Sequence, residues 1–425
     1  MNELLPEYLQ EALTEFKRNI GFYYSYFMDE ALVPPDIVQI TLSYKCNLRC
    51  KMCNIRNIKV DQEMTPERII ALIDEASEWG VPEVLLLGGE PFLQKDLMRF
   101  IRYAGAKGLK TTIVTNGTLI DDSMAKIIVD SPLTQLVVSL DGAREKTHDQ
   151  LRGLSGTYKR VIRAITMIDR HKSNNGKGRL DQPLIIIPIT LMNDNLNEMW
   201  RYVVLANKLP VSAVGFQPVV IDNANLKFND KSDSMWIPEN RLVLLDKMVD
   251  KVITYKRKRN ERQPVVGNTF LHLEAIKKYF RGNQSQQNMK CYIGYTRVVI
   301  SPDGNTSLCG ESIGNVDLQT MKNMWNSEVA KQERNKIRKC AKPCLQFCSV
   351  RPESELKETW DIFMKRSNYY NSNPEIKKLV RGQIFDIFFD KKNMLEKNIA
   401  NKDNLQNLER EIDSLISSFS EPNEL

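Results

Sequence analysis

The stretch IVQITLSYKCNLRCKMCNI, residues 37–55, joins a short β-rich run to a loop that packs three cysteines into eight positions. Cys46, Cys50 and Cys53 stand at spacing C-x3-C-x2-C, and no histidine lies near, because the chain's three are His148, His171 and His272. Structural zinc closes its shell with four Cys or His ligands, usually one C-x2-4-C pair and a second pair downstream. Three thiolates on one loop suit a cubane iron–sulfur cluster better, since each can bind a different iron and leave the fourth open to chemistry. Buried structural thiols are the remaining reading.

The surroundings of this loop set the fold class. From about residue 36, short runs rich in Val, Ile and Leu alternate with helical patterns. IVQITLS, EVLLLGG, KTTIVTN, TQLVVSL, PLIIIPIT and VSAVGFQPVV read as six strands over about 185 residues. Between them lie TPERIIALIDEASEWG, which opens on a Thr cap, then LMRFIRYAGAKG, DDSMAKIIVD, a long helical stretch through YKRVIRAITMIDRH, and LNEMWRYVVLANKL. Such strands suit a parallel sheet covered by helices. With right-handed crossovers the series either opens as a doubly wound sheet or curls into a barrel, and periodicity does not choose.

At 425 residues the chain has room for two domains, or one large domain with an appended lobe. Its net charge of +7 comes from well-mixed basic and acidic residues, not the concentrated patch of a nucleic-acid binder, so nucleic acid is not an expected partner. No apolar run approaches the ~20 residues that span a bilayer, and MNELLPEYLQEALTEF lacks the pattern of a signal peptide; a cytoplasmic protein is expected. In that compartment eight cysteines argue for metal binding or catalysis over disulfides. Three lie before residue 54 and five between 291 and 348, which implies two metal regions.

Several strand ends carry polar chemistry. LLLGGEP puts Gly88, Gly89, Glu90 and Pro91 at the end of the second strand, where a barrel or open sheet builds its site. Glycine lets backbone approach a ligand closely, and a carboxylate or carbonyl there can accept from an ammonium. VTNGT ends the third strand and VSLDG the fourth, so Thr115, Asn116, Ser139 and Asp141 fall on the same rim. Turn preferences alone also explain Asn-Gly and Asp-Gly.

With these residues in place, the chain resembles the radical S-adenosylmethionine (radical SAM) superfamily. Met52 matches the hydrophobic or aromatic residue that the family usually places before its last loop cysteine. The resemblance implies an α/β partial (β/α)6 barrel of TIM type. It implies that SAM supplies the missing ligand through its amino and carboxylate groups. An electron from the reduced 4Fe–4S cluster, delivered by a donor such as flavodoxin or ferredoxin, then yields methionine and a 5′-deoxyadenosyl radical, which takes a hydrogen atom from substrate. Gly88, Gly89, Glu90 and Pro91 resemble the segment that binds the SAM amino group. Thr115, Asn116, Ser139 and Asp141 resemble segments lining the SAM pocket, and Arg152, in HDQLRG, resembles an arginine that pairs with the SAM carboxylate.

Cys291 and Cys309 bracket RVVISPDGNTSLCG, a hairpin around Pro-Asp-Gly, and Cys340, Cys344 and Cys348 follow at C-x3-C-x3-C. Four thiolates also close a zinc shell well. The segment nevertheless resembles the SPASM or Twitch auxiliary-cluster lobe, a small α+β unit, though the family's C-x2-C spacing is absent. Five thiols ligate only one cubane fully, so one auxiliary 4Fe–4S cluster is expected, with any four of the five as ligands. Full ligation would favour electron transfer over direct substrate binding. The resemblance covers roughly residues 36 to 350.

The expected domains are a helical N-terminal extension at 1–35, the partial barrel at 36–225, a helical connector at 226–290, the auxiliary lobe at 291–350 and a helical C-terminal extension at 351–425. In the last, Leu405, Leu408, Ile412, Leu415 and Phe419 form an amphipathic face. The expected function is hydrogen abstraction from a peptide or protein side chain. The alternatives are a sugar, cyclitol or other small molecule as substrate, and, from another class, a zinc-bound structural or nucleic-acid adaptor. An N-terminal stretch of ~35 residues is short for a peptide-recognition module, which lowers the leader-peptide expectation.

Overall fold

The computed structural model describes residues 28–220, 234–260, 262–282, 289–340, 344–345 and 350–352, with scattered positions between 14 and 26. Cys348, the polar segment 221–233, the Leu405 to Phe419 face and nearly all of both terminal extensions lie outside the described residues.

All six strands form where the sequence places them: β1 (Ile37–Thr41), β2 (Glu83–Leu87), β3 (Lys110–Thr115), β4 (Gln135–Val138), β5 (Leu184–Leu191) and β6 (Ala213–Pro218). Each pairs parallel with the next in chain order. That order settles what periodicity left open. A doubly wound sheet starts near its middle and reverses, whereas strands laid down 1-2-3-4-5-6 keep every right-handed crossover on one face and curl into a barrel. The sheet does not close: β7 (Val265–Val266) ends one edge, a two-residue strand inside what the sequence reads as a helical connector.

The crossover helices are α1 (Pro66–Glu78), α2 (Leu97–Ala106), α3 (Asp122–Asp130), α4 (Glu145–Arg152), α5 (Thr157–Asn174) and α6 (Met199–Lys208). They start where caps dictate. Thr65 accepts from Arg68 N–H, with Pro66 behind it in the first turn, and Asp121 accepts from Met124 N–H. The long helical stretch of the sequence breaks into α4 and α5 at Gly153, left-handed at φ 69°. α5 runs past the end of YKRVIRAITMIDRH to Asn174.

Burial alternates along β1, β4 and β5. Val38, Ile40, Leu136, Ile185, Ile187 and Ile189 are buried in one core with Ile69, Leu72 and Ile73 of α1 and Phe100 and Ile101 of α2. Each such side chain contributes about 1.5–3 kcal/mol by leaving water, and this fixes register because a one-residue slip would turn the whole set outward. The alternate residues, among them Gln39, Val137, Ile186, Pro188 and Thr190, face the concave side and are only half buried. Helices thus cover one face of the sheet, not both.

Beyond α7 (Leu242–Lys258) and α8 (Phe270–Phe280), the C-terminal lobe joins the same sheet. β8 (Met289–Cys291) pairs with β12 (Val350–Pro352), while β9 (Arg297–Ile300) runs parallel to β1 and turns into β10 (Asn305–Ser307) and β11 (Ser312–Asn315). The boundary drawn at residue 291 is therefore crossed by backbone hydrogen bonds. A single helical turn at Ile293–Thr296 leads into β9, and α9 (Met321–Trp325) and α10 (Glu328–Arg338) complete the lobe. Arg68 of α1 pairs with Asp317 at 3.1 Å and Trp79 packs edge-on against Trp325 at 5.8 Å, docking α1 onto it.

Candidate functional site

The cysteine loop leaves the C-terminal end of β1 and is braced on two sides. Gly89 N–H donates to Ser43 O at 2.8 Å and Glu90 N–H to Lys45 O at 2.9 Å, so the turn after β2 holds the loop's first half. Lys51 N–H donates to Leu151 O at 2.8 Å and Arg49 N–H to Arg152 O at 3.3 Å, which satisfies carbonyls that the end of α4 leaves unpaired. The two glycines are there for this contact. A Cβ on Gly88 would lie 2.4 Å from Ser43 O, and one on Gly89 would lie 2.0 Å from Lys45 O. The sequence leaves room there for close approach of a ligand; the backbone the two glycines admit is that of the cysteine loop.

Glu90 is 3% exposed, and its carboxylate accepts from Thr115 Oγ1 at 2.7 Å, Asn116 N at 2.8 Å and Phe92 N at 3.1 Å. Burial pushes its pKa up, and these donors hold it back. Pro91 opens the turn that Glu90 caps. Asn116 also donates to Asn47 Oδ1 at 2.8 Å, and Asn47 in turn to Thr118 Oγ1 at 2.9 Å. The side chains of Glu90, Thr115 and Asn116 are therefore spent on one another and on the loop. Ser139 sits half buried on the same rim, and its hydroxyl has no partner among the described residues.

Asp141 and Arg152, separate metabolite contacts in the sequence reading, meet each other. Arg152 Nη2 lies 2.5 Å from Asp141 Oδ2, and Arg152 Nη1 donates to Cys50 Sγ at 3.7 Å. The first contact is an ion pair lying off the hydrogen-bond axis, so Asp141 Oδ2 and Arg152 Nε remain buried without a hydrogen-bond partner. Burial works against the Arg152 charge, but Asp141 and Cys50 outweigh it and raise its pKa. Burial likewise pushes the Cys46 and Cys50 thiols up, and Arg152 opposes this at both.

Four residues that sequence reasoning passed over build the support. His148 Nδ1 accepts from Asp141 N–H at 3.2 Å, and burial pulls its pKa down to about 3, so the ring is neutral. Asn195 donates to Asp141 O at 2.9 Å and to Thr190 O at 2.8 Å. Glu198 accepts from Ala143 N–H at 2.7 Å and Thr147 Oγ1 at 2.6 Å, holding the start of α4. Only Asn47, inside the cysteine motif, carried a local signal.

In the lobe, Cys291 ends β8, Cys309 follows β10, and Cys340 and Cys344 follow α10. Burial pushes Cys291 up to about 12, with further upward pressure from Cys309, Cys344 and Cys340. Those three thiols thus lie within electrostatic reach of Cys291. None of the seven described cysteines is in a disulfide. Among the described residues, which exclude Cys348, no three Cys, His, Asp or Glu side chains form a ready-made group for a single metal ion.

The donor sets fit iron–sulfur clusters. Three thiols on one loop, with a buried cation against one sulfur and an unspent guanidinium N–H, form a thiolate site whose negative charge is compensated. Residues 40–201 match the family described as the radical SAM superfamily, and residues 291–349 match the iron–sulfur cluster-binding domain called SPASM. The chain belongs to the radical SAM superfamily. With membership come its cofactors: a 4Fe–4S cluster and SAM in the first domain, and an auxiliary iron–sulfur cluster in the second.

Over 131 residues this radical SAM protein is 40% identical to an Fe-coproporphyrin III synthase of Methanosarcina barkeri, covering 30% of this chain and 33% of that one. It is 27% identical over 137 residues to a PqqA peptide cyclase of Granulibacter bethesdensis, covering 32% and 37%. The chain thus spans little more than a third of these curated relatives. The crystal structure of Streptococcus suis SuiB bound to precursor peptide SuiA superposes with a TM-score of 0.55 at 18% identity, over 73% of this chain and 69% of that one. At that identity the likeness is one of fold. No helix among the described residues is long and apolar enough to cross a membrane.

Proposed function

We propose that this protein is a radical SAM enzyme that abstracts a hydrogen atom from a peptide or protein side chain. With SAM bound, the reduced first cluster supplies a 5′-deoxyadenosyl radical for that abstraction. The observation that carries the reading is the thiol loop at the mouth of the barrel, held by the Gly88–Gly89 turn and the end of α4. Cys46, Cys50 and Cys53 would hold the cluster. Carbonyls of the Gly88–Gly89 turn and the free Ser139 hydroxyl are polar groups open to SAM, whereas Glu90, Thr115 and Asn116 are engaged elsewhere.

The concave face above the loop supports an apolar substrate part. Leu87, Val114, Val137, Ile186 and Pro188 line it beside the polar Gln39, Thr41, Ser139, Thr190 and Gln217. A sugar or cyclitol site needs denser hydrogen bonding, since every hydroxyl left unpaired costs affinity. Gln217 Nε2 donates to Leu345 O at 2.6 Å, tying the Cys344 loop to the barrel's inner face. Four thiols saturate a cubane, which suits electron transfer to or from bound substrate more than substrate ligation. The reading includes a reducing, cytoplasmic setting and a low-potential protein electron donor such as flavodoxin or ferredoxin. A second reading, a tetrapyrrole substrate, draws on the porphyrin named for the 40% identical relative and on the same apolar wall.

The test is anaerobic. Protein reconstituted with iron and sulfide, then given dithionite and SAM, should release 5′-deoxyadenosine, and the Cys50→Ala protein should not. Offered substrates are then compared by mass: a peptide should both raise that release and change mass, whereas a porphyrin that alone does so selects the second reading. Wild-type protein with an intact cluster spectrum and no 5′-deoxyadenosine would overturn both.

A further inference from the structure

We propose that Arg152, clamped by Asp141, is a fixed cation on the Cys50 sulfur that sets the reduction potential of the cluster Cys50 helps to hold. The inference rests on the cluster reading of the thiol loop. Arg152 Nη1 lies 3.7 Å from Cys50 Sγ, and the side chain is 12% exposed. Asp141, 1% exposed, fixes the guanidinium from behind at 2.5 Å.

Asp141 is itself immobilised. Its Oδ1 accepts from Thr190 N at 2.8 Å, its N–H donates to His148 and its carbonyl accepts from Asn195. Arg152 and the thiol loop form one hydrogen-bonded body, because the Leu151 and Arg152 carbonyls receive Lys51 N–H and Arg49 N–H. The geometry therefore does not depend on a bound metabolite to bring cation and sulfur together.

The physical consequence has a definite sign. Reducing a cluster adds negative charge, so a neighbouring positive charge favours the reduced form, and the effect is large where water is excluded. Arginine keeps its charge at any working pH. Arg152 touches the sulfur directly and acts on Cys50 more strongly than Asp141 does, so Asp141 weakens the effect without cancelling it. Hydrogen bonding to a ligand sulfur acts in the same direction.

An EPR-monitored redox titration without SAM tests this, following the signal that Cys50→Ala removes. Arg152→Gln should lower the ratio of reduced to oxidised cluster at least tenfold at the wild-type midpoint, about 59 mV for one electron. Asp141→Asn should shift the ratio the other way, and Arg152→Lys should fall between wild type and Arg152→Gln. Iron content is measured on each protein. If Arg152→Gln loses the cluster, the opposite shifts of Asp141→Asn and Arg152→Lys decide. A cluster-loaded Arg152→Gln protein that keeps its potential and loses only SAM affinity would overturn the inference while leaving the proposed function standing. A wild-type protein with no Cys50-dependent signal would overturn both.

Discussion

Replacing Gly89 by alanine is the sharpest test of how the thiol loop is held. The new Cβ would sit 2.0 Å from Lys45 O, 2.4 Å from Lys45 C and 2.7 Å from Tyr44 O. All three are backbone atoms, so no side chain can swing aside. Relief requires the loop to move off the β2 end, which breaks the Gly89 to Ser43 and Glu90 to Lys45 hydrogen bonds. Overpacking costs about 1–3 kcal/mol and each lost bond about 1 kcal/mol, giving roughly 3–5 kcal/mol together.

For a body of this size that corresponds to a fall of roughly 4–7 °C in Tm, read at one fixed scan rate. The loop also carries the thiols, so iron bound at the first site should fall with it. Gly80→Ala is the control: φ is +81° but nothing lies within 4 Å of a Cβ there, so only a left-handed penalty of about 1–2 kcal/mol applies. If Gly89→Ala matches Gly80→Ala in Tm and keeps wild-type iron, the bracing argument is wrong.

Three further outcomes are expected. Cys291→Ala should remove about four of roughly eight irons per chain while leaving SAM cleavage, whereas Cys50→Ala should abolish that cleavage; iron analysis and 5′-deoxyadenosine release check both. Arg334 is stacked 4.4 Å from Trp325 and bonded to Gly294 O and Trp325 O, so Arg334→Met should cost about 3–5 kcal/mol in denaturant unfolding and loosen the lobe. His148 is held at about 3 against an ordinary 6.5, so the unfolded chain binds more protons between those values. Its contribution to stability is full above pH 6.5 and falls as pH drops, with a slope approaching about 1.4 kcal/mol per unit. His148→Gln should flatten the difference between unfolding at about pH 7.5 and 5.5, and an unchanged slope would refute it.

What the sequence reveals and what it hides follow from the range of each interaction. The six strands and their caps are legible because period-two alternation and a Thr or Asp at a helix start act within a few residues. β7 is invisible for the complementary reason: Val265 and Val266 are too few for any period, and pairing with Ala213 and Val214 alone makes them a strand. The choice between barrel and open sheet depends on which strands touch, which is a property of register and not of any single segment. The thiol motif is readable as spacing, and so is the rim that carries Ser139 and Asp141. The partnership of Asp141 with Arg152 is not, because α4 must fold back before the two charges meet.

The same reasoning applies at residue 291, where the SPASM match begins and the strand pairing nevertheless continues. Composition and cysteine spacing mark a new lobe there, yet β9 lies along β1 with Ile37 opposite Arg297 and Ile40 opposite Ile300. Arg297 reaches Gln39 Oε1 at 3.0 Å, and Met64 N–H donates to Pro302 O at 2.6 Å in the turn of the lobe's hairpin. β1 therefore has a barrel strand on one edge and a lobe strand on the other, while its own end runs into Cys46. The first thiol loop thus hangs from β1, and Cys309 follows the hairpin that continues β9. A shift of the lobe along β1 by one residue would turn Val298 and Ile300 out of the core, so burial of those two side chains fixes the lobe's register on the strand that carries the thiol loop.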